Sequence, residues 1–428
     1  MTVEVTTLAN GLRVVTEEMP HLETASLGFW VGAGSRDENA DENGISHLLE
    51  HMAFKGTARR NALEIAEAIE NVGGDINAAT SLETTAYYAR VLREDVALAV
   101  DVIADILQNS VFDPDELARE KDVIFQEIAA ALDTPDDLVF DTAQSLAFAE
   151  QSVGRSILGT PETLAGFDSS ELRRYLAKHY HPSRIVVSAA GAVSHAAIVG
   201  MMGEHFSGSS PGNSTRGDGP AARFTGGARH VTRAIEQSHI VLGWSAPPLG
   251  TPEYYAAQVF AGMLGGGMSS RLFQKAREER GLCYSIYAYC WGLIDAGLFS
   301  VYAASSREHI AELADVINGE IADIAASGAT ATELARAKAQ LKSGLLMGLE
   351  SSSMRAEQMA RHLLSYGHVL SSKDLIQSID AVDTRRIAEF ADRLAGAEAT
   401  VWSEVGPERA ALSAPVGRGE RQRVAALS

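Results

Sequence analysis

His47, Glu50 and His51, arranged as His47-Leu48-Leu49-Glu50-His51, are the residues whose types and spacing speak most directly of chemistry. On a helix, positions i, i+3 and i+4 share one face, so the three side chains point the same way. Two imidazoles a turn apart suit a tetrahedral Zn²⁺, and a carboxylate between them can take a proton from a metal-activated water. The order inverts the more familiar His-Glu-x-x-His, the inverzincin pattern. Two histidines leave the ion short of protein ligands, so a third is required. Glu127 is the expected one. It sits in Val123-Ile124-Phe125-Gln126-Glu127-Ile128, where apolar neighbours imply partial burial, and a partly buried carboxylate is costly unless paired or coordinated. Glu120, seven residues earlier on the same face, can orient a ligating imidazole through its second nitrogen. The plain alternatives are helical histidines beside a solvated glutamate and, at 127, a surface acid.

The elements that must carry these residues follow from periodicity and turn chemistry. Helical spacing marks Leu63 to Val72, Val96 to Asn109 and Asp115 to Leu132, the last entered through Asp113-Pro114. Asn10-Gly11 between two apolar runs marks a hairpin, and Arg184 to Ala190 reads as a buried strand. The second half repeats the mixture, with helices expected at Glu308 to Ala326, Thr330 to Leu349 and Met354 to Tyr366. Each half therefore reads as an antiparallel sheet packed against helices, an α+β arrangement.

The halves look like copies. Glu116-Leu117-Ala118-Arg119 recurs as Glu333-Leu334-Ala335-Arg336, and both halves place an apolar strand before a helix (Thr24 to Gly34; His239 to Pro247). Each then returns to a strand pair, Ile76 to Arg90 and Tyr284 to Ala304. A long duplication explains this. Gly and Ser cluster from Ser207 to Gly219, which gives a domain at 1–207, a linker at 208–222 and a homologous domain at 223–428. Without gaps, the 217-residue offset puts Leu264, Gly267 and Met268 opposite His47, Glu50 and His51. One copy holds the polar cluster and the other does not, which favours chemistry over a structural need of that helix.

Composition narrows the function classes. The 428 residues are 46% hydrophobic and 21% charged, an ordinary soluble balance. A formal net charge of −20 argues against nucleic acid. It favours basic partners or simple solubility. From Val111 to Asp141 ten acidic residues face only two basic ones, Arg119 and Lys121. No apolar run approaches a membrane span, and the start lacks the pattern of a secretion signal. Cys283 and Cys290 alone cannot build a disulfide framework, so packed thiols in a reducing cytoplasm are expected.

Asn10-Gly11-Leu12-Arg13-Val14, Glu50-His51-Met52-Ala53-Phe54-Lys55-Gly56-Thr57 and Gly74-Asp75-Ile76-Asn77-Ala78 accompany the His-x-x-Glu-His motif, and 75 residues lie between His51 and Glu127. In these features the chain resembles the M16 zinc peptidases, the group of mitochondrial processing peptidase, pitrilysin and insulin-degrading enzyme, as a short two-domain member of bacterial type. The resemblance implies one Zn²⁺ per chain held by His47, His51 and Glu127, with Glu50 as general base of a zinc endopeptidase of processing-peptidase type. It also implies that Arg277 and Tyr284 assist catalysis from the second half. On residue type alone, Arg277 reads as a surface helix residue and Tyr284 as a half-buried strand aromatic. The run Leu264-Gly265-Gly266-Gly267-Met268-Ser269-Ser270 follows a helix, so it is no dinucleotide fingerprint; a flexible connection and a helix terminator both fit.

Substrate, expected to be peptides or unstructured protein segments, would lie as an added strand along Asn77, Ala78 and Ala79. The resemblance further implies that Phe54 lines the pocket beyond the cleaved bond. Asp137 and Asp141 fall where processing-type relatives hold a basic side chain, although solvated helix-face acids fit equally. Short members of the family pair, so a homodimer with Arg277 and Tyr284 acting in trans is expected, with a heterodimer as the other option. The rival function is a non-catalytic scaffold or core subunit of a larger complex.

Overall fold

The structure, a computed structural model, describes residues 2–210, 212 and 220–408; most of the expected linker, at 211 and 213–219, lies outside the described residues. In chain order the first elements are β1 (Val3–Thr7), β2 (Arg13–Glu18), β3 (Thr24–Val31), α1 (Ile45–Ala53), α2 (Ala62–Glu70), β4 (Asp75–Thr80) and β5 (Thr85–Leu92). Then come α3 (Val96–Asn109), α4 (Pro114–Asp133), α5 (Pro135–Ala147), α6 (Pro161–Gly166), α7 (Ser169–His179), β6 (Ile185–Gly191) and α8 (His195–His205). The second half runs β7 (Gly227–Thr232), β8 (Gln237–Ala246), α9 (Pro252–Gly265), β9 (Cys283–Gly292), β10 (Gly297–Ser306) and α10 (Ile310–Ser327). It ends with α11 (Ala331–Gly348), α12 (Ser352–Tyr366), α13 (Ser372–Asp380), α14 (Thr384–Ala395) and β11 (Val401–Gly406).

The chain forms two compact units, each an α+β sandwich. Among the described residues, the first comprises 2–129, 155–210, 212, 220 and 346–370; the second comprises 130–154, 221–345 and 371–408. Relative to continuous halves, two segments change sides. The segment carrying α5 joins the second unit, and the segment carrying α12 joins the first. The strand order is β1-β2-β6-β3-β5-β4 in one sheet and β7-β11-β8-β10-β9 in the other. Neighbouring strands are antiparallel except β2 with β6 and β7 with β11, so both sheets are mixed where alternation in the sequence indicated antiparallel ones. Hairpins force antiparallel pairing, whereas β6 and β11 return after helical connections and are free to insert between strands of either direction.

In the first unit, Leu27, Phe29 and Val31 of β3 pack with Val100 and Ile103 of α3, all buried. The opposite face of that sheet is covered by α12, whose Ala356, Met359, Ala360 and Leu363 meet Val15, Trp30 and Val186. Polar contacts lock α12 there. Ser188 donates to the Ala356 carbonyl at 2.7 Å, and Arg13 donates to the Leu363 carbonyl at 2.8 Å. Arg355 and Glu17, both nearly buried, form an ion pair beneath the helix. The second unit uses α5 in the same way: Ser403 donates to the Val139 carbonyl at 2.8 Å, and Phe140 stacks on Tyr302 with ring centroids 5.2 Å apart. Elsewhere in that unit Phe260, Phe299 and Phe390 form an edge-to-face core with centroids 5.3–5.6 Å apart.

A buried carboxylate stripped of its partner is strongly unfavourable, so Arg355→Met should destabilise the protein by about 3 kcal/mol or more in urea denaturation. The double change Glu17→Met with Arg355→Met should recover most of that loss. A double variant no more stable than Arg355→Met would remove the pair from the α12 docking scheme.

Candidate metal centre

Two helices far apart in sequence build the centre, and apolar patterning holds them together. On α1, Ile45, Leu48, Leu49 and Met52 are buried; on α4 the buried set is Leu117, Glu120 and Ile124. Both faces belong to one cluster with Phe112, Leu164, Phe167, Leu172 and Tyr175. Each such aliphatic side chain contributes roughly 1.5–3 kcal/mol on burial, which fixes the helices face to face. The entry to α4 is set by Asp113, whose side chain accepts from Asp115 N at 2.9 Å and Glu116 N at 3.1 Å, with Pro114 as first helical residue. The 117, 120, 124 spacing continues to Glu127, so Glu120 and Glu127 share the stripe that faces α1.

Across that seam the structure brings His47, His51 and Glu127 together, with one donor atom from each lying within 4.8 Å of the others. Nε2 of His47 and Nε2 of His51 are each 3.7 Å from Glu127 Oε2. In a tetrahedral zinc site with bonds of about 2.0–2.1 Å the donors stand about 3.4 Å apart, so small side-chain rotations close the set. The two imidazole centroids are 4.7 Å apart, ring edge to face. Burial, then the neighbouring His51, lowers the His47 pKa to about 4, which leaves a neutral ring able to donate a lone pair near neutral pH. The donor set fits Zn²⁺: two imidazole nitrogens and one carboxylate oxygen, with Glu127 half-exposed. His47 Nδ1 is buried without a protein partner, the one unsatisfied polar atom of the set.

His51 is oriented from behind. Its Nδ1 lies 2.9 Å from Glu120 Oε2, which fixes the proton on Nδ1 and turns Nε2 toward Glu127. Glu120 is held in turn by Lys55, with Nζ 2.6 Å from Oε1. Burial alone would raise the Glu120 pKa, but the bonds from Lys55 and His51 outweigh it and keep the carboxyl below its ordinary value. The sequence marks Glu120 for this role and gives none to Lys55. Its position four residues after His51 was the available signal.

Glu50 shares the motif helix, half-buried one residue before His51. Behind it the buried hydroxyls of Tyr87 and Tyr180 stand 3.1 Å apart, and burial is the main reason Tyr180 rises to about 12. Phe54 ends α1 and packs half-buried on the sheet core. Asn77 and Ala79 are exposed and Ala78 is buried on β4, the edge strand of its sheet. Thr80 of that strand donates to the Ser46 carbonyl of α1 at 3.4 Å, so the edge runs beside the motif helix.

The remaining expected residues belong to the second unit. Arg277, in a π-helical turn at Phe273–Glu278, lies between two rings, 4.6 Å from the Phe273 centroid and 4.8 Å from that of Tyr284. Tyr284 is 77% exposed, where residue type suggested half burial. Both line a pocket of about 510 Å³ with Gly265 to Met268. Gly265 closes α9 with Gly266 as its cap, so the glycine run terminates a helix. Gly267 and Met268 accordingly lie past α9, and the gap-free offset does not pair them structurally with Glu50 and His51. Asp137 and Asp141 are exposed one turn apart on α5. Cys283 and Cys290 are buried free thiols.

Comparison with known proteins gives the family. Residues 13–161 match the model of insulinase, peptidase family M16, and residues 166–341 match that of the peptidase M16 inactive domain. An uncharacterized zinc protease of Mycobacterium leprae is 40% identical over 398 residues, covering 91% of this chain and 88% of the relative. The chain belongs to peptidase family M16. An uncharacterized zinc protease of Bacillus subtilis is 38% identical over 91% of this chain and 94% of its own length. A protease from Helicobacter pylori has the same fold, with a TM-score of 0.88 at 20% identity over 95% of this M16 chain and 99% of that structure.

If Glu120 and Lys55 act in series on His51, Glu120→Gln and Lys55→Met should each weaken zinc binding by about 10–100-fold in chelator competition. Wild-type affinity in both variants would exclude that role.

Proposed function

We propose that this M16 peptidase is a zinc-dependent endopeptidase acting on peptides and unstructured protein segments. The observation that carries the reading is the convergence of His47, His51 and Glu127 from two distant helices onto one point, within 4.8 Å of one another. One ion per chain would be held by these three side chains. Zinc bound there supplies Lewis acidity, lowering the pKa of water toward neutrality and polarising the scissile carbonyl. That complete donor set also weighs against a purely scaffolding role.

The chain's own residues do the rest. Glu50 accepts the proton of the attacking water on its carboxylate and returns it to the leaving amine. Substrate pairs with the free edge of β4 along Asn77, Ala78 and Ala79, so recognition rests on main-chain hydrogen bonds and tolerates varied sequences. Phe54 supplies an apolar wall beyond the cleaved bond. Arg277 and Tyr284 donate hydrogen bonds to the carbonyl oxygen as charge develops on it. Tyr284 is exposed and Arg277 is braced between two rings, which suits groups offered to a substrate. Asp137 and Asp141, at i and i+4, clasp a basic substrate side chain in a processing-type preference.

We assign the working form to a homodimer in which Arg277 and Tyr284 serve the metal centre of the partner, with a heterodimer as the alternative. The cytoplasm suits the two free thiols, whose burial raises Cys283 to about 11 and Cys290 to about 12 and leaves them unreactive. No helix among the described residues is long and apolar enough to cross a membrane.

Glu50→Gln should retain one zinc per chain and lose about 10²–10⁴-fold in kcat on a quenched basic peptide. Cleavage by this variant at the wild-type rate would defeat the assignment. Mixing Glu50→Gln with Tyr284→Phe chains should restore about a quarter of wild-type activity, because half of the exchanged dimers carry one complete site. No recovery, with subunit exchange demonstrated, would exclude action in trans.

A further inference from the structure

α1 begins without a side-chain cap of its own. Its N-cap is Gly44, in the left-handed region at φ 94°, and glycine offers no acceptor to the unpaired N–H groups of the first turn. A carboxylate from the preceding loop does so instead. Glu38, 3% exposed, accepts from Gly44 N at 2.9 Å and Asn43 Nδ2 at 3.3 Å through Oε2, and from Ser46 N at 2.9 Å through Oε1. Both oxygens are thereby committed to the start of the motif helix.

Glu38 is itself fixed to the scaffold. Arg155 donates to its carbonyl at 2.5 Å. One residue earlier, Asp37 pairs with the buried Arg184 at 2.7 Å, and Arg184 also donates to the Gly32 carbonyl at the end of β3. The helix start has no room to slide. A Cβ on Gly44 would lie 2.8 Å from Gly159 Cα, and Thr163 donates to the Asn43 carbonyl at 2.7 Å. Ser46, whose N–H donates to Glu38 Oε1, also meets the Tyr175 hydroxyl at 2.8 Å through its side chain.

A serine or aspartate at position 44 would cap the helix from within and move with it. A buried carboxylate tied to β3 and to Arg155 does something different: it registers the helix against the sheet. His47 is the third residue of α1, so any displacement of the first turn passes directly to its imidazole.

We propose that Glu38 is a positioning residue of the metal centre, fixing the axial placement of α1 and thereby setting the His47 imidazole against Glu127. The inference rests on reading His47, His51 and Glu127 as the zinc ligands. Glu38→Gln is the discriminating variant, because it keeps the shape but turns an amide N–H₂ toward one backbone donor. Three measurements belong together: zinc affinity by competition with a chromophoric chelator, the visible spectrum of the Co²⁺-loaded protein, and thermal unfolding without metal.

Glu38→Gln is expected to bind zinc about 10–100-fold more weakly and to shift the Co²⁺ bands, with the metal-free protein still folded and cooperative. A lowered melting temperature with zinc affinity and Co²⁺ spectrum at wild-type values would overturn the proposal and leave Glu38 a plain structural cap. Should Glu38→Gln fail to fold, Arg155→Met frees the Glu38 backbone while sparing its carboxylate. A several-fold loss of zinc affinity is expected there, and unchanged affinity would equally overturn the proposal. Wild-type protein that binds no zinc would instead strike at the proposed function, so the two failures are distinguishable.

Discussion

Two helices with a shared apolar seam are the constraint on which the rest of the first unit depends. Imidazoles and carboxylates do not draw α1 and α4 together; brought near one another without a cation they lose hydration and gain little. The attraction comes from Ile45, Leu48, Leu49 and Met52 meeting Leu117 and Ile124 around Phe112, Phe167 and Tyr175. The polar groups ride on the margin of that seam, at positions the helical repeat dictates. The donors proposed for zinc are therefore gathered before any ion is bound. Most of the ordering entropy has been met by hydrophobic burial.

This division of labour explains which features were legible in the sequence. The His-x-x-Glu-His spacing is local, and a helix turns local spacing into a shared face without help from the fold. Glu127 needed one more step, and its apolar neighbours from Val123 to Ile128 provided it by implying a partly buried carboxylate. Glu38 could not be read that way, and the placement of Lys55 four residues after His51 does not by itself name a partner. Each acts through a contact whose partner is set by tertiary packing: Lys55 through a carboxylate on α4, and Glu38 through a reversal of the chain between β3 and α1. Sheet direction was hidden for a related reason. Alternation reports which face is buried, but not whether a strand arriving after several helices runs with or against its neighbour.

The duplication is visible in both units and its two copies have diverged in different parts. The strand and helix order repeats, and the Glu-Leu-Ala-Arg stretch opens equivalent helices, α4 and α11. Yet α9 carries an almost wholly buried set, Ala256, Ala257, Val259, Phe260 and Leu264, where α1 exposes an edge with two imidazoles. One copy became a packed core and kept its polar investment elsewhere, in Arg277 and Tyr284 beside the terminated helix. The exchanged helices α5 and α12 add a consequence for stability. Each unit takes one covering helix from the far half of the chain, so neither half of the sequence holds a complete sandwich.

X-ray absorption at the zinc edge of the purified, zinc-loaded protein tests the three-ligand centre most directly. A first shell of nitrogen and oxygen at about 2.0–2.1 Å, with the outer-shell scattering of two imidazoles, is the expected spectrum. A sulfur shell at about 2.3 Å, or imidazole scattering from any number of rings other than two, would contradict coordination by His47, His51 and Glu127.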